Sequence, residues 1–238
     1  MRVEPVSGRV LSGPLTDVYV YEAPVRLWHW VTVLCITVLG VTGYFISAPL
    51  PAMGVGADAS TYFVTGWIRM VHFTAGWILA VAFLVRLYWV IVGNHHARSI
   101  FYIPFWSGAW WRGLFRQAGY YAFVRSESDH WIGHNPMAQA AMFFMFTLGL
   151  VVMILTGFGL YAQGYPTGGI WTTLFGWVTV LLGDPQTVRT VHIFTMWYLL
   201  IFAFIHMYMV FREDIMSGES VIGTMINGIR MFKREPRA

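Results

Sequence analysis

The chain has 238 residues, 57% of them hydrophobic and only 11% charged. A soluble domain carries about 25% charged residues, so this composition excludes a soluble domain of any size and describes a polytopic membrane protein. The net charge of +4 comes from 15 Lys and Arg spread along the chain, which is no nucleic-acid patch. The single cysteine, Cys35, excludes an intramolecular disulfide, a Cys-held iron–sulfur cluster and a Cys-x-x-Cys-His cofactor attachment.

Residues 1–20 mix polar and apolar side chains, and no small-residue cleavage site follows the first apolar run, which is read as retained. Four runs predict transmembrane helices, at about residues 27–47, 66–92, 137–161 and 190–211, each near the roughly 20 residues a bilayer requires. Pro49 and Pro51 stop the first; Gly164 and Pro166 follow the third. Between the second and third, residues 100–124 mix aromatics with Arg112 and Arg116, which predicts an interfacial helix in the middle loop. Asn135 before Pro136 is a helix-start signal. Residues 171–182 are too short to span and read as re-entrant or interfacial. Residues 212–238 form a tail. The expected fold is one all-α membrane domain over residues 1–238, a bundle of four transmembrane helices.

Basic residues orient it. Arg2, Arg9 and Arg26 precede the first span, and Arg86, Arg98, Arg112, Arg116 and Arg125 lie around the middle loop. Arg212, Arg230, Lys233, Arg234 and Arg237 follow the fourth span, while the opposite side has only Arg69 and Arg189. The positive-inside rule then makes both termini and the middle loop cytoplasmic. Most of the twelve tryptophans fall at predicted span ends, as an aromatic belt does. Met142, Met145 and Met153 read as packing.

Four histidines fall inside the spans. His192 and His206 are fourteen residues apart, which is nearly four helical turns. Their side chains share one face, about 21 Å apart along the axis. An ionisable group inside a span is a functional-site hypothesis by default. The topology pairs the four by depth: His72 with His192 towards the outside, His29 with His206 towards the cytoplasm. Two distant pairs do not suit zinc, which takes three or four ligands at one locus. They suit two bis-histidine haems, with Gly40, Gly43, Ala75, Gly76, Gly149, Gly157 and Gly159 as small residues that let a macrocycle approach. The blander reading of each is an interhelical hydrogen bond.

Arg26, Arg69 and Arg189 each precede one of these histidines by three residues, on the same helix face. They are candidates to hold a haem propionate, with helix-end snorkelling as the alternative. His95 and His96 read as solvated loop residues, and His130 and His134 flank the start of the third span.

With these residues identified, the chain resembles the di-haem cytochrome b subunit of membrane-bound uptake nickel–iron hydrogenases. EAPVRLWHWVTVLCITVLGVTGYFI carries the Arg-x-x-His-Trp and Thr-Gly signature of that family. IRMVHFTAGW, GHNPMAQAAMF, RTVHIFTMWYLLIFAFIHMYMVFREDIMS and TMINGIRMF resemble its later motifs, in the family's order. The resemblance covers about Tyr21 to Phe232 and departs at Ile193, where many relatives carry a basic residue. It implies haem ligation by His29, His72, His192 and His206, and a partner hydrogenase of small and large subunits on the periplasmic face. The chain would then be an inner-membrane electron-transfer subunit that does not itself activate hydrogen.

On this reading electrons pass inward and reduce quinone near the cytoplasmic side, where His134, Asn135, Gln139, Glu213 and Asp214 are the expected quinone-site residues. The outer surface, for docking the hydrogenase, falls in residues 48–65 and 162–188. The alternatives are the cytochrome subunit of another quinone-linked oxidoreductase, of formate dehydrogenase or thiosulfate reductase type, and a haem-free membrane anchor. A transporter is disfavoured because no span carries an Asp or Glu relay.

Overall fold

In a computed structural model, residues 15–49, 63–126 and 131–233 are described. Arg2, Arg9, His130, Arg234, Arg237 and most of the 48–65 loop lie outside them. Among the described residues, four helices are long and apolar enough to cross a membrane: Ala23–Ser47, Val64–Val92, Pro136–Ala162 and Pro185–Ser217. Their exposed faces carry large apolar side chains such as Leu34, Leu84, Val81 and Phe204. In lipid this is the stable arrangement, because a helix satisfies its own backbone and apolar side chains meet acyl chains.

Strand β1 (Leu15–Tyr19) leads into α1 (Ala23–Ser47), with Pro24 in the first turn, where its missing N–H removes no helical bond. Helix α2 (Val64–Val92) returns and ends at Gly93. A 3-10 turn, His95–Arg98, follows, capped by Asn94 Oδ1 accepting from Ala97 N at 3.0 Å. The interfacial helix is α3 (Gly108–Tyr121), shorter than the predicted 100–124 because Pro104 interrupts the start of that segment.

The third span opens with α4 (Pro136–Ala141), passes without a break through a π-helical turn (Met142–Thr147) and continues as α5 (Leu148–Ala162). Asn135 caps it as expected, accepting from Ala138 N at 2.8 Å. Helix α6 (Ile170–Leu182) packs against α5 and α7 and covers the segment 171–182 read as too short to span. Helix α7 (Pro185–Ser217) begins and ends beyond the predicted 190–211. Asp184 extends its start by accepting from Gln186 N and Thr187 N, at 2.8 and 3.0 Å, and Gly218 in the left-handed region closes its end.

The expected tail is structured. After Ser217 come α8 (Val221–Asn227) and β2 (Ile229–Lys233). Strand β2 pairs antiparallel with β1, Leu15 opposite Lys233 and Tyr19 opposite Ile229. This ribbon is an addition to the all-α reading, and it places both ends of the described chain at one end of the bundle, called here the terminal end. Val20 N donates to Gly228 O at 2.8 Å, Trp30 Nε1 to Met225 O at 3.0 Å, and Arg26 Nη1 to Ile226 O. Glu22 Oε2 accepts from Asn94 N and Trp89 Nε1, at 2.9 and 3.0 Å, which ties the start of α1 to the end of α2.

Helix α1 packs chiefly along α2, and α5 along α7. Between these two pairs lies a core of Trp28, Cys35, Leu79, Phe83, Phe146, Leu150, Leu199 and Phe202, with Met142, Met145 and Met153 packed against it as expected.

Candidate cofactor sites

At the end of the bundle away from the chain termini, His72 of α2 and His192 of α7 line one cavity of about 680 Å³. That is the volume of a large organic cofactor's pocket. Gly40, Gly43 and Gly76 line it from one side, Gly157 from the other, and Arg69 and Arg189 stand among its lining residues.

The two histidines are held identically. The Thr42 hydroxyl donates to Val38 O at 2.7 Å, so its oxygen is left to accept from His72 Nδ1–H at 2.9 Å. The Thr156 hydroxyl donates to Val152 O at 2.7 Å and accepts from His192 Nδ1–H at 2.9 Å. With Nδ1 carrying the proton, each Nε2 keeps a bare lone pair, the form that ligates a metal. The next residue is glycine in both cases. A Cβ on Gly43 would lie 3.2 Å from His72 Cε1, and one on Gly157 would lie 3.2 Å from His192 Cε1. Two Thr-Gly dipeptides, one in α1 and one in α5, therefore set two imidazoles in the same way. The glycines were legible in sequence as small residues; Thr42 entered only as part of the Thr-Gly signature and Thr156 was passed over, although the repeated dipeptide marked the role of both.

Such outer partners typically contribute 10–100-fold to metal affinity or activity. The Thr156→Val and Thr42→Val variants are expected to retain the fold but bind haem about tenfold or more weakly at this site. Haem content of the purified protein after dialysis against a haem scavenger measures this; unchanged retention would remove the tautomer argument.

At the terminal end, the rings of His29 and His206 lie with centroids 6.5 Å apart and planes tilted by 56°. Two imidazoles that shared one metal, each bonded through a nitrogen at about 2.0–2.1 Å, would hold their ring centres at about this separation. Phe202 lies parallel to His206 at 5.8 Å, and Phe146 stacks on Phe202 at 5.6 Å. His29 Nδ1 is buried and meets no partner. Among the described residues, no three His, Cys, Asp or Glu side chains converge on one point, so the four histidines come as pairs. The donor chemistry, the glycine cradles and the ring spacing all fit a b-type haem.

The three candidate arginines divide. Arg69, 5.8 Å over the Phe73 ring, and Arg189 line the cavity with His72 and His192. Arg26 is instead turned to the carbonyl of Ile226, holding α8.

Of the expected quinone-site residues, most carry structural bonds. Asn135 caps α4 and donates to Tyr121 Oη at 3.0 Å. Gln139 joins α4 to the middle loop, accepting from Trp110 Nε1 at 2.8 Å and donating to Tyr102 O at 2.7 Å. Asp214 caps α8 through Val221 N and Ile222 N, at 2.8 and 3.0 Å. Glu213 sits 4.0 Å from Arg212, whose guanidinium lies over Tyr120 and Tyr121.

His134 is different. Its Nδ1 lies 3.0 Å from Tyr21 Oη and 3.1 Å from Ser99 Oγ, between the start of α1 and the middle loop. Burial, with His206, Arg230, His96 and Arg86 nearby, pushes its pKa down to about 3, so the ring is neutral at physiological pH. Burial likewise raises the Tyr21 phenol above its ordinary value. His96, expected to be solvated, is partly buried edge-on to His95, and burial lowers its pKa.

Four apolar spans with paired histidines between them define a membrane-embedded b-type cytochrome. The chain belongs to the prokaryotic cytochrome b561 family, which it matches over residues 20–228. It is 53% identical over 218 residues to the probable Ni/Fe-hydrogenase B-type cytochrome subunit of Azotobacter chroococcum mcd 1, covering 92% of this chain and 90% of that one. The corresponding protein of Rhodobacter capsulatus is 50% identical over 218 residues, 92% of this chain and 83% of its own. The probable Ni/Fe-hydrogenase 1 B-type cytochrome subunit of Escherichia coli (strain K12) is 44% identical over 227 residues, 93% of this chain and 94% of its own. The protein is thus a multi-pass electron-transfer cytochrome of the bacterial inner membrane.

Proposed function

We propose that this chain carries electrons from a periplasmic nickel–iron hydrogenase, through two bis-histidine b-type haems, to the quinone pool. The observation that carries the reading is the pair of histidine pairs, His72 with His192 at one end of the bundle and His29 with His206 at the other. The hydrogenase partner rests on the names of the relatives. Orientation rests on charge: Arg26, Arg98, Arg112, Arg116, Arg125, Arg212 and Arg230 cluster at the terminal end, against Arg69 and Arg189 at the other. The positive-inside rule then makes the terminal end cytoplasmic and the His72/His192 end the side that meets the hydrogenase small and large subunits.

When bound, the haems supply one-electron carriers at two depths. The chain's own contribution is to present four imidazoles in two pairs, with Thr42 and Thr156 holding His72 and His192 in the ligating tautomer, to exclude water with the apolar core, and to offer Arg69 and Arg189 to carboxylates at the membrane edge. Quinone reduction also needs protons. His134, neutral and bonded at Nδ1 to Tyr21 and Ser99, serves on the cytoplasmic side as a relay, one ring nitrogen taking up a proton as the other gives one up. Asn135, Gln139, Glu213 and Asp214 act there by shaping the surrounding helices and loops.

The test is an optical spectrum of anaerobic membranes before and after hydrogen, then dithionite. Reduced b-type bands that grow with hydrogen and fail to do so in His72→Ala are expected. Bands that answer only to dithionite would assign the cytochrome to another quinone-linked oxidoreductase. Silence to both would leave a haem-free anchor.

A further inference from the structure

Arg86 of α2 is the most unusual side chain in the membrane-spanning part of the molecule. It is 2% exposed. Nη2 donates to the carbonyl of Ala97, but Nε and Nη1 are buried and meet no partner. Its guanidinium lies 5.3 Å over the ring of Trp28 and 5.1 Å over that of Phe101. The indole Nε1–H of Trp28 and the hydroxyl of Thr32, one turn further along α1, are buried and unpartnered as well. Burying a guanidinium with two donors unmet is strongly unfavourable, and a fold keeps such a group where an anion completes it.

The depth of this donor cluster follows from helix geometry. His72 and Arg86 are fourteen residues apart on α2, the same step that separates His192 from His206 on α7. Both steps leave the second residue near the face of the first and about 21 Å along the axis. Since His72 and His192 share one cavity, Arg86 stands at the level of His206. It does so beside Trp28, the residue before His29. The guanidinium is planar and presents paired N–H groups, which match the two oxygens of a carboxylate.

We propose that Arg86, with the Trp28 indole N–H, binds a propionate carboxylate of the haem held by His29 and His206. This rests on the reading that those two histidines hold a haem. It replaces Arg26, which is engaged by Ile226, as the arginine serving that site. The positive charge stabilises the reduced, more negative state of the cofactor, so its loss lowers the reduction potential.

The test is an anaerobic redox titration of the purified hydrogenase–cytochrome complex in quinone-depleted lipid nanodiscs. His206→Ala is expected to delete one of two b-type components, which identifies the terminal-end haem. Arg86→Gln is expected to retain both components and move that one alone to lower potential. At the wild-type midpoint its reduced-to-oxidised ratio falls about tenfold, equivalent to about 59 mV for one electron. Arg86→Lys, which keeps the charge without the fork, and Trp28→Phe move it less, in the same direction; if Arg86→Gln does not assemble, Arg86→Lys decides. An unmoved potential with haem retained would make Arg86 a pin for the 95–98 turn and overturn the proposal. So would an equal shift of both components, or a shift seen only after quinone is restored, which would assign the donors to a quinone oxygen. Two intact components in His206→Ala would defeat the haem placement itself, a result separate from any behaviour of Arg86.

Discussion

His206→Ala will leave hydrogen able to reduce one b-type haem and unable to drive quinone reduction. The two histidines of α7 are fourteen residues apart, so removing the one at the terminal end leaves the His72/His192 cavity with its glycines, threonines and arginines untouched. The Phe202 ring that stacks on His206 stays in the core and keeps the helix packed. Hydrogen-driven quinol formation in membranes should fall to background while about half of the hydrogen-reducible haem absorbance survives. His72→Ala reverses the order of failure, because electrons then find no carrier beside the hydrogenase. Equal quinol formation in wild type and His206→Ala would place the route elsewhere.

The second large effect belongs to a glycine. Gly157→Leu builds a side chain into the cavity from a position where even a Cβ lies 3.2 Å from His192 Cε1. Neither the helix nor the imidazole can retreat far, since His192 is tied to Thr156 one residue away. Overpacking of this kind costs about 1–3 kcal/mol in a core that can partly adjust, and here it competes directly with the macrocycle. The expected outcome is loss of the haem at this site, a drop of haem-to-protein ratio by half, and no reduction by hydrogen. Gly43→Leu, opposite His72, should do the same. Gly176→Ala, where an added Cβ meets nothing within 4 Å, is the control and should keep full haem. A Gly157→Leu protein with undiminished haem would show that the cavity is not where the cofactor sits.

The four spans were legible because lipid leaves the backbone few choices, and runs of twenty apolar residues become helices. The histidine pairs were legible because a fourteen-residue step converts directly into depth and face. The β1–β2 ribbon was not: two five-residue strands from opposite ends of the chain show no local periodicity that links them. The ends of α7 were misjudged for a related reason, since Asp184 and Gly218 act by capping rather than by hydropathy. Asn135, Gln139 and Asp214 looked reactive in sequence because a polar residue near a span end has the same spelling whether it binds a ligand or holds a helix. Arg86 was read only for its charge, as a topology marker, although its fourteen-residue step from His72 repeats the step on α7.

The way the proposed ligands are shared between helices has a consequence for how the protein is made. One ligand of each pair comes from the α1–α2 hairpin, His29 or His72, and the other from α7. Neither half of the chain can grip a macrocycle alone, and the two halves pack mainly within themselves. Each cofactor then acts as a rivet driven through a joint: insertion has to wait until the last long helix is in the membrane, and the affinity for haem becomes cohesion between the halves. A cell short of haem would accumulate a hinged, protease-exposed bundle rather than a finished but colourless one.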